Sequence, residues 1–401
     1  MIFPSFKSDS QESRFSFPRL NWMLLLCAAA LLCYGVLFVR SATSIRVGPV
    51  HDIWLKMLFQ WIPLGLIAHV IFAAVDYRKW VDHAWILYGG SIVLLILVLI
   101  PGIGTVTMGA RRWLFGIFQP SEAAKLAVIP FLAFLLTRSA IQSEIQRFWA
   151  TLFFAALPAL LVLIQPDMGS SLPFGVAAIA MLYVSGCARK VLFRILLTGI
   201  ILISIFLGAI LIPETLPPEK KAKVERITDD FIFDHWKSRI LVFVFPDRDP
   251  LGAGWNKRQS EIAVGSGAVW GKGYKKGTQN ILGYLPASVS SSDFIFSVVA
   301  EETGFAGSLL LIALYAGLLG SICVSGFLCR DLVGRLVCTG ITATLFTHIF
   351  VNLAMTIGKM PITGIPLPLV SYGGTFTITT LALLGLAHSV SIHRHKVDPF
   401  D

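Results

Sequence analysis

Charge is scarce in this chain of 401 residues: only 14% are charged, too few to cover the surface of a water-soluble fold of that size. Cysteine is scarce too. The six present, at 27, 33, 187, 323, 329 and 338, lie within or beside apolar runs and form no CxxC pair, so neither a disulfide framework nor a cysteine metal site is indicated. A phosphate loop is missing. Gly267, Gly271, Lys272 and Gly273 fall one residue short of the required spacing, and no Ser or Thr follows the lysine, which argues against a bound nucleotide. Long hydrophilic stretches are absent except for one, residues 213–292.

What is present instead is apolar surface. With 55% hydrophobic residues and a mean hydropathy of +0.75, the chain needs lipid as its solvent. Apolar runs long enough to cross about 30 Å of hydrocarbon as helices fall near 22–39, 55–75, 83–101, 121–137, 148–165, 169–186, 191–212, 294–326, 333–357 and 370–391. The expectation is an all-α, polytopic integral membrane protein of about ten spans. It forms one membrane domain over 1–401, with a large extracytoplasmic loop, 213–292, between the seventh and eighth spans. The first run is a full span without a small-residue cleavage site after it, which speaks against a cleavable signal. The eighth run, starting near Asp293 and carrying Glu301 and Glu302, is the least regular.

The net charge of +10 could suggest nucleic acid, but its distribution follows the membrane. With the N-terminus in the cytoplasm, Lys7, Arg14, Arg19, Arg78, Lys79, Arg138, Arg147, Arg189, Lys190, Arg194, Arg330, Arg335, Arg394 and Lys396 all fall inside. Only Arg40, Arg46, Arg111, Arg112 and Lys359 occupy short outer loops, so the positive-inside rule places both termini in the cytoplasm.

The long loop has two characters. Residues 217–234 mix Lys220, Lys221, Lys223 and Arg226 with Glu219, Glu225, Asp229 and Asp230, a solvated face without assigned chemistry. Beyond it come Asp247, Asp249 and Pro250, then glycines 252, 254, 265, 267, 271, 273 and 277 interleaved with Trp255, Trp270 and Tyr274. Such a loop allows close approach of backbone to a ligand.

Three further constellations stand at the same predicted outer level. Gln119, Pro120, Ser121, Glu122 and Lys125 open the fourth span, with an acid and a base able to pair across one turn in an apolar setting; such a pair is either a purely structural bridge or part of a site. Asp167, in the short turn Gln165 to Gly169, is suited to cap the sixth helix, and direct chemistry is the alternative. Residues 358–374, GKMPITGIPLPLVSYGG, break the approach to the last span, as a re-entrant turn or a cavity wall offering the hydroxyls of Ser371 and Tyr372. Parity therefore gathers Arg112, Glu122, Asp167, Asp249, Lys272 and Ser371 on one face that cytoplasmic ATP does not reach. An enzyme there needs a substrate already carrying an activated bond, as a polyprenyl-pyrophosphate sugar does. Glycosyl transfer needs a base for the acceptor hydroxyl, and Asp249 is the best candidate; the pyrophosphate leaving group needs cations, from Arg, Lys or a divalent metal such as Mg or Mn.

The motifs GARRW (109–113), QPSEAAK (119–125), QPDMGSS (165–171), DPLGAGW (249–255), SGAVWGKG (266–273), DFIFSVVAEETG (293–304) and GIPLPLVSYGG (364–374) resemble those of the shape, elongation, division and sporulation (SEDS) family, whose members include RodA and FtsW, and Gly277, Thr278 and Gln279 are similar to its RodA branch. The resemblance implies a peptidoglycan glycosyltransferase of the bacterial inner membrane that polymerises lipid II into glycan strands during cell-wall elongation, bound to a class B penicillin-binding protein. It implies Asp249 as the base, with Lys56, Arg112, Gln119, Glu122, Lys125, Asp167, Lys272, Gln279, Ser371 and Tyr372 holding substrate. Lys56 falls where relatives often carry an arginine. Two departures stand out: the stretch from Arg112 to Gln119 is short and lacks a basic residue before Gln119, and LPASVSSSD (285–293) replaces a shorter segment ending in His-Thr-Asp. A lipid II flippase and a non-catalytic scaffold for the partner synthase are the competing readings.

Overall fold

The computed structural model describes residues 20–44, 52–107, 110–138, 141, 143–187, 189–217, 234–250 and 252–394. The charged run 217–234 lies almost wholly outside them, as do Lys7, Arg14, Arg19, Arg46 and Lys396.

Among the described residues, ten apolar helices form the bundle. Eight are long enough to cross a membrane: Trp22–Thr43, Ile53–Ala74, Pro120–Thr137, Glu144–Ile164, Lys190–Glu214 (its last turn tightened to 3-10 geometry), Ile295–Phe327, Leu332–Thr356 and Gly374–His393. Two shorter ones, Ala84–Leu99 and Met168–Val184, complete the set as third and sixth in chain order. The polytopic all-α expectation therefore holds span by span. One element departs from it: a β-hairpin, β1 (Gly104–Thr107) and β2 (Ala110–Leu114), joins the third and fourth spans and carries part of the GARRW motif.

Burial sorts the spans. The tenth is 89% buried along its apolar window and the fourth 78%, whereas the seventh is only 6% buried, so the first two form the centre and the seventh faces the surroundings. The second span packs on the tenth, the sixth on the ninth and the first on the eighth. Close approach needs small residues: a side chain at Gly385 would meet the backbone of His69, and one at Gly35 the backbone of Leu369 and Val370.

The start of the first span and the end of the tenth meet at one end, where the Asn21 amide donates to His388 Nε2 (3.3 Å). At that end Asp331 caps the ninth span through the Gly334 amide and accepts from Tyr77 Oη and Arg78 Nε (2.8 and 2.9 Å). Burial alone would raise the pKa of Asp331, but these donors together with Cys329 hold it below the usual carboxylate value. None of the six cysteines is joined in a disulfide.

At the opposite end the segment between the seventh and eighth spans folds into helices Asp234–Val244 and Ala253–Ser266 with single turns between and after them. Ser260 pins the second helix to the bundle: its Oγ donates to the Thr356 carbonyl (2.7 Å) and pairs with Ser297 Oγ (2.6 Å).

The irregular eighth span is explained by a break at Gly304 (φ 67°, ψ −161°). The glycine-rich loop repairs the hydrogen bonding. Phe305 and Ala306 amides donate to the Ala268 and Val269 carbonyls (2.8 and 3.0 Å), while Lys272 and Gly273 amides donate to the Glu301 and Glu302 carbonyls (3.0 and 2.9 Å). At Gly267, Gly271 and Gly277 the close approach read from the glycines is to the eighth span. Gly271 has φ +77°, and a Cβ there would lie 2.2 Å from the Glu302 carbonyl oxygen. Replacing Gly271 with Ala is expected to destabilise the protein by roughly 1–3 kcal/mol, read as a lower melting temperature of the detergent-solubilised chain; an unchanged transition would contradict this account of the loop.

Candidate active site

Asp167 is the hub of the site. Its Oδ1 accepts the Ser170 amide (3.1 Å), capping the sixth span, and its Oδ2 accepts Ser170 Oγ (3.0 Å), Gln119 Nε2 (3.2 Å) and Arg112 Nη1 (3.4 Å). One carboxylate thereby joins the sixth span, the start of the fourth and strand β2. The capping reading from sequence is correct, and the same residue also lines a cavity.

That cavity has a volume of about 440 Å³, and Arg112, Gln119, Glu122, Asp167 and Tyr372 all line it. Trp61, Trp113 and Phe376 supply aromatic walls; Asp293, Gly364 and Pro366 close another side. Trp61 is presented by a π-helical turn, Met57–Trp61, inside the second span. Such turns break the regular ladder and re-aim side chains.

Glu122 and Lys125 pair as their spacing requires, with Lys125 Nζ donating to Glu122 Oε1 at 2.7 Å. Both are nearly fully buried. Lys125 also donates to His348 Nε2 of the ninth span (3.1 Å) and lies 5.7 Å from the Phe376 ring centroid. It stands behind the cavity rather than lining it, and holds the carboxylate that does.

Residues 358–374 are both turn and wall. Asn352 of the ninth span donates to the carbonyls of Asp293 (2.8 Å) and Ile365 (2.7 Å), tying two lining segments together. Ser371 does not line the cavity: its Oγ accepts the Leu367 amide (2.7 Å) and donates to the Ser292 carbonyl (2.6 Å), which fixes the loop that presents Tyr372.

Three other expected residues also lie outside the cavity. Lys272 Nζ donates to Glu301 Oε1 (2.7 Å), and the Gln279 amide donates to the same carboxylate (3.1 Å), so both anchor the loop at the Gly304 break. Lys56 is exposed on the second span just before its π-turn.

Asp249 is half-buried and lines neither this cavity nor a second one of about 230 Å³, which it adjoins through Ala253. Its Oδ2 accepts the amide of Ala253 (2.7 Å), a residue that lines the second cavity, and its Oδ1 has no hydrogen-bond partner among the described residues. A Cβ at Gly252 would lie 2.3 Å from Asp249 Oδ2, so a larger residue there would push the carboxylate aside. Ile362 lines the second cavity and Gly364 and Pro366 the first, so a strip of the broken loop separates the two.

Two charged residues escaped the sequence reading. Asp293 opens a quoted motif but was assigned no role. Arg239 stands at the head of an apolar stretch, RILVFV, and that is its only signal. Burial raises the Asp293 pKa to about 6, with Asp167 adding to the rise while Arg112 and Arg239 oppose it. Among the described residues no three His, Cys, Asp or Glu side chains are grouped to hold a metal ion.

Two outcomes follow. Lys125→Met leaves Glu122 buried without its partner and is expected to destabilise the protein by about 3–5 kcal/mol, with most of the loss recovered when Glu122→Gln is added. Thermal unfolding of the two single variants and the double variant checks this; an additive double variant contradicts it. The raised pKa of Asp293 means that the folded state binds the proton more tightly than the unfolded one between about pH 4 and 6, so its ionisation opposes folding and stability falls as pH rises through that window. The melting temperature of Asp293→Asn relative to the parent should therefore climb from pH 4 to 6 and level off above; a difference independent of pH contradicts the assignment.

The same arrangement of spans and loops is found in known proteins. Residues 21–396 match the FtsW, RodA and SpoVE family model described as cell cycle protein. The chain is 33% identical over 374 residues to the peptidoglycan glycosyltransferase MrdB of Escherichia coli K12, covering 92% of this chain and 93% of that one. It is 30% identical over 430 residues to the peptidoglycan glycosyltransferase RodA of Treponema pallidum, covering 92% and 97%. Among solved structures, a chain of a peptidoglycan synthase complex that coordinates polymerization and crosslinking superposes with a TM-score of 0.72 at 29% identity, covering 94% of this chain and 99% of that one. The Thermus thermophilus rod shape determining protein RodA superposes at 0.66 with 26% identity, covering 94% and 98%. The chain belongs to the FtsW, RodA and SpoVE family of polytopic membrane proteins.

Proposed function

We propose that this protein is a peptidoglycan glycosyltransferase that polymerises lipid II, with its cavity end on the outer side of the bacterial inner membrane and both termini in the cytoplasm. Orientation rests on the positive-inside rule: Arg78, Lys79, Arg330, Arg335 and Arg394 gather at the end where the first span starts and the tenth finishes. The residues from 213 to 292 then form the extracytoplasmic loop.

The observation that carries the reading is the convergence of Arg112, Gln119, Glu122, Asp167 and Asp293 from four separate segments on one cavity, with Asp249 bonded to Ala253 at the edge of the neighbouring one. An apolar groove of about 640 Å³ runs between the first, second and tenth spans, lined by Leu32, Val36, Leu58 and Leu381, and suits a polyprenyl chain. Trp61, between the groove residues Leu58 and Ile62, stands where tail and headgroup would meet.

In the reaction the acceptor sugar's 4-oxygen forms a bond to the donor's anomeric carbon as the bond from that carbon to the diphosphate breaks. Asp249 takes the hydroxyl proton through Oδ1, and the diphosphate departs with the electron pair, its charge stabilised by arginine. A single displacement inverts the anomeric centre. No second carboxylic acid is required, because diphosphate leaves as an anion. The cluster of charged groups at one end of the bundle favours this reading over a lipid II flippase, which needs polar groups along a path through the midplane.

The family relationship to a chain of a peptidoglycan synthase complex supports a class B penicillin-binding protein as partner, beside which the growing glycan strand would emerge. Asp249→Asn is expected to leave partner binding intact and lower glycan synthesis from lipid II by at least about a hundredfold, in the range of a lost general base. Gel analysis of glycan strands made by the purified complex tests it; polymerisation at the parental rate defeats the base assignment.

A further inference from the structure

Arg239 ties the smaller cavity to the strip of loop that separates it from the larger one. It projects from helix Asp234–Val244, lines the smaller cavity beside Lys257, and its Nη1 donates to the carbonyl of Ile362 on the partition (3.0 Å). That is the only hydrogen bond its five donors make among the described residues. Across the partition, the charges of Asp167, Asp293 and Arg112 all act on it.

The second guanidinium is similarly under-used. Arg112 gives Nη1 to Asp167 at a long 3.4 Å, and its Nε is buried without any partner. Lys125, by contrast, is fully occupied by Glu122, His348 and the Phe376 ring. Two arginines that repel each other, both with idle donors at the edge of a cavity, are arranged for a multivalent anion. Burial and the Arg112 charge push the Arg239 pKa down, while Asp167 and Asp293 only partly compensate, so a bound dianion would relieve the strain of keeping it charged. A planar fork of donors matches phosphate oxygens in a way that an ammonium cannot.

We infer that Arg239 and Arg112 together clamp the diphosphate of the lipid-linked donor, with Arg239 reaching it from the Asp249 side of the partition. The inference rests on the reading that the substrate is a polyprenyl diphosphate. It gives the two cavities distinct occupants: the donor lies in the larger one, and the acceptor approaches past Lys257 and Asp249 in the smaller. Arg239 then stands between leaving group and base, where it holds the diphosphate while the acceptor is deprotonated.

The test is direct binding of undecaprenyl diphosphate and undecaprenyl monophosphate to the full chain in nanodiscs. Parental protein, Arg239→Gln and Arg239→Lys are compared, with melting temperatures recorded for each. Arg239→Gln is expected to weaken the diphosphate lipid by about tenfold or more while changing the monophosphate less than about threefold, and Arg239→Lys to recover part of the loss. Equal affinity of parent and Arg239→Gln for the diphosphate lipid overturns the clamp. An equal loss for both lipids overturns it too, because it marks a general structural or headgroup contact. Failure of the parental protein itself to bind the diphosphate lipid would instead defeat the underlying functional reading.

Discussion

A carboxylate within reach of hydrocarbon must find donors inside the protein, and Asp167 does so by gathering the sixth-helix amide, Ser170, Gln119 and Arg112 around itself. Everything else at the site follows from that requirement. The hairpin must fold back to bring Arg112 in, the fourth span must begin at the same level, and the space left between them becomes the cavity. Glu122 obeys the same rule one layer deeper, through Lys125 and then His348. The charged groups are therefore held in place by the medium that would otherwise expel them.

The second constraint is backbone. Irregular chain at membrane depth has to be covered, and here each break is covered by another. The glycine-rich loop answers the opening of the eighth span at Gly304, and Asn352 with Ser371 stitches the loop before the tenth span to the one before the eighth. Lys272 and Gln279 thus hold the loop at the Gly304 break, and Ser371 holds the segment that presents Tyr372. The residues facing the cavity come mostly from segment ends, where a helix start or a strand turns a side chain inward.

Much of this was legible in the sequence because the medium imposes simple patterns. Run length and hydropathy reveal the spans, acid and base three residues apart reveal the Glu122–Lys125 pair, and an Asp before a helix reveals the Asp167 cap. Arg239 was not legible, since one arginine at the head of an apolar stretch looks like an interfacial anchor until tertiary structure shows what it faces. Nor was the hairpin, whose few residues carry too weak an alternation to stand out. The separation of Asp249 from Glu122 also escaped, because parity assigns a face of the membrane but not a side of a partition.

The most direct measurement is photo-crosslinking with a lipid II analogue carrying a diazirine on its donor sugar, followed by mapping of the adducts on the full chain. The account predicts adducts on the walls of the larger cavity, at Trp61, Trp113 or Phe376. Adducts confined to the lipid-facing seventh span, or to the Asp331 end of the bundle, would contradict it.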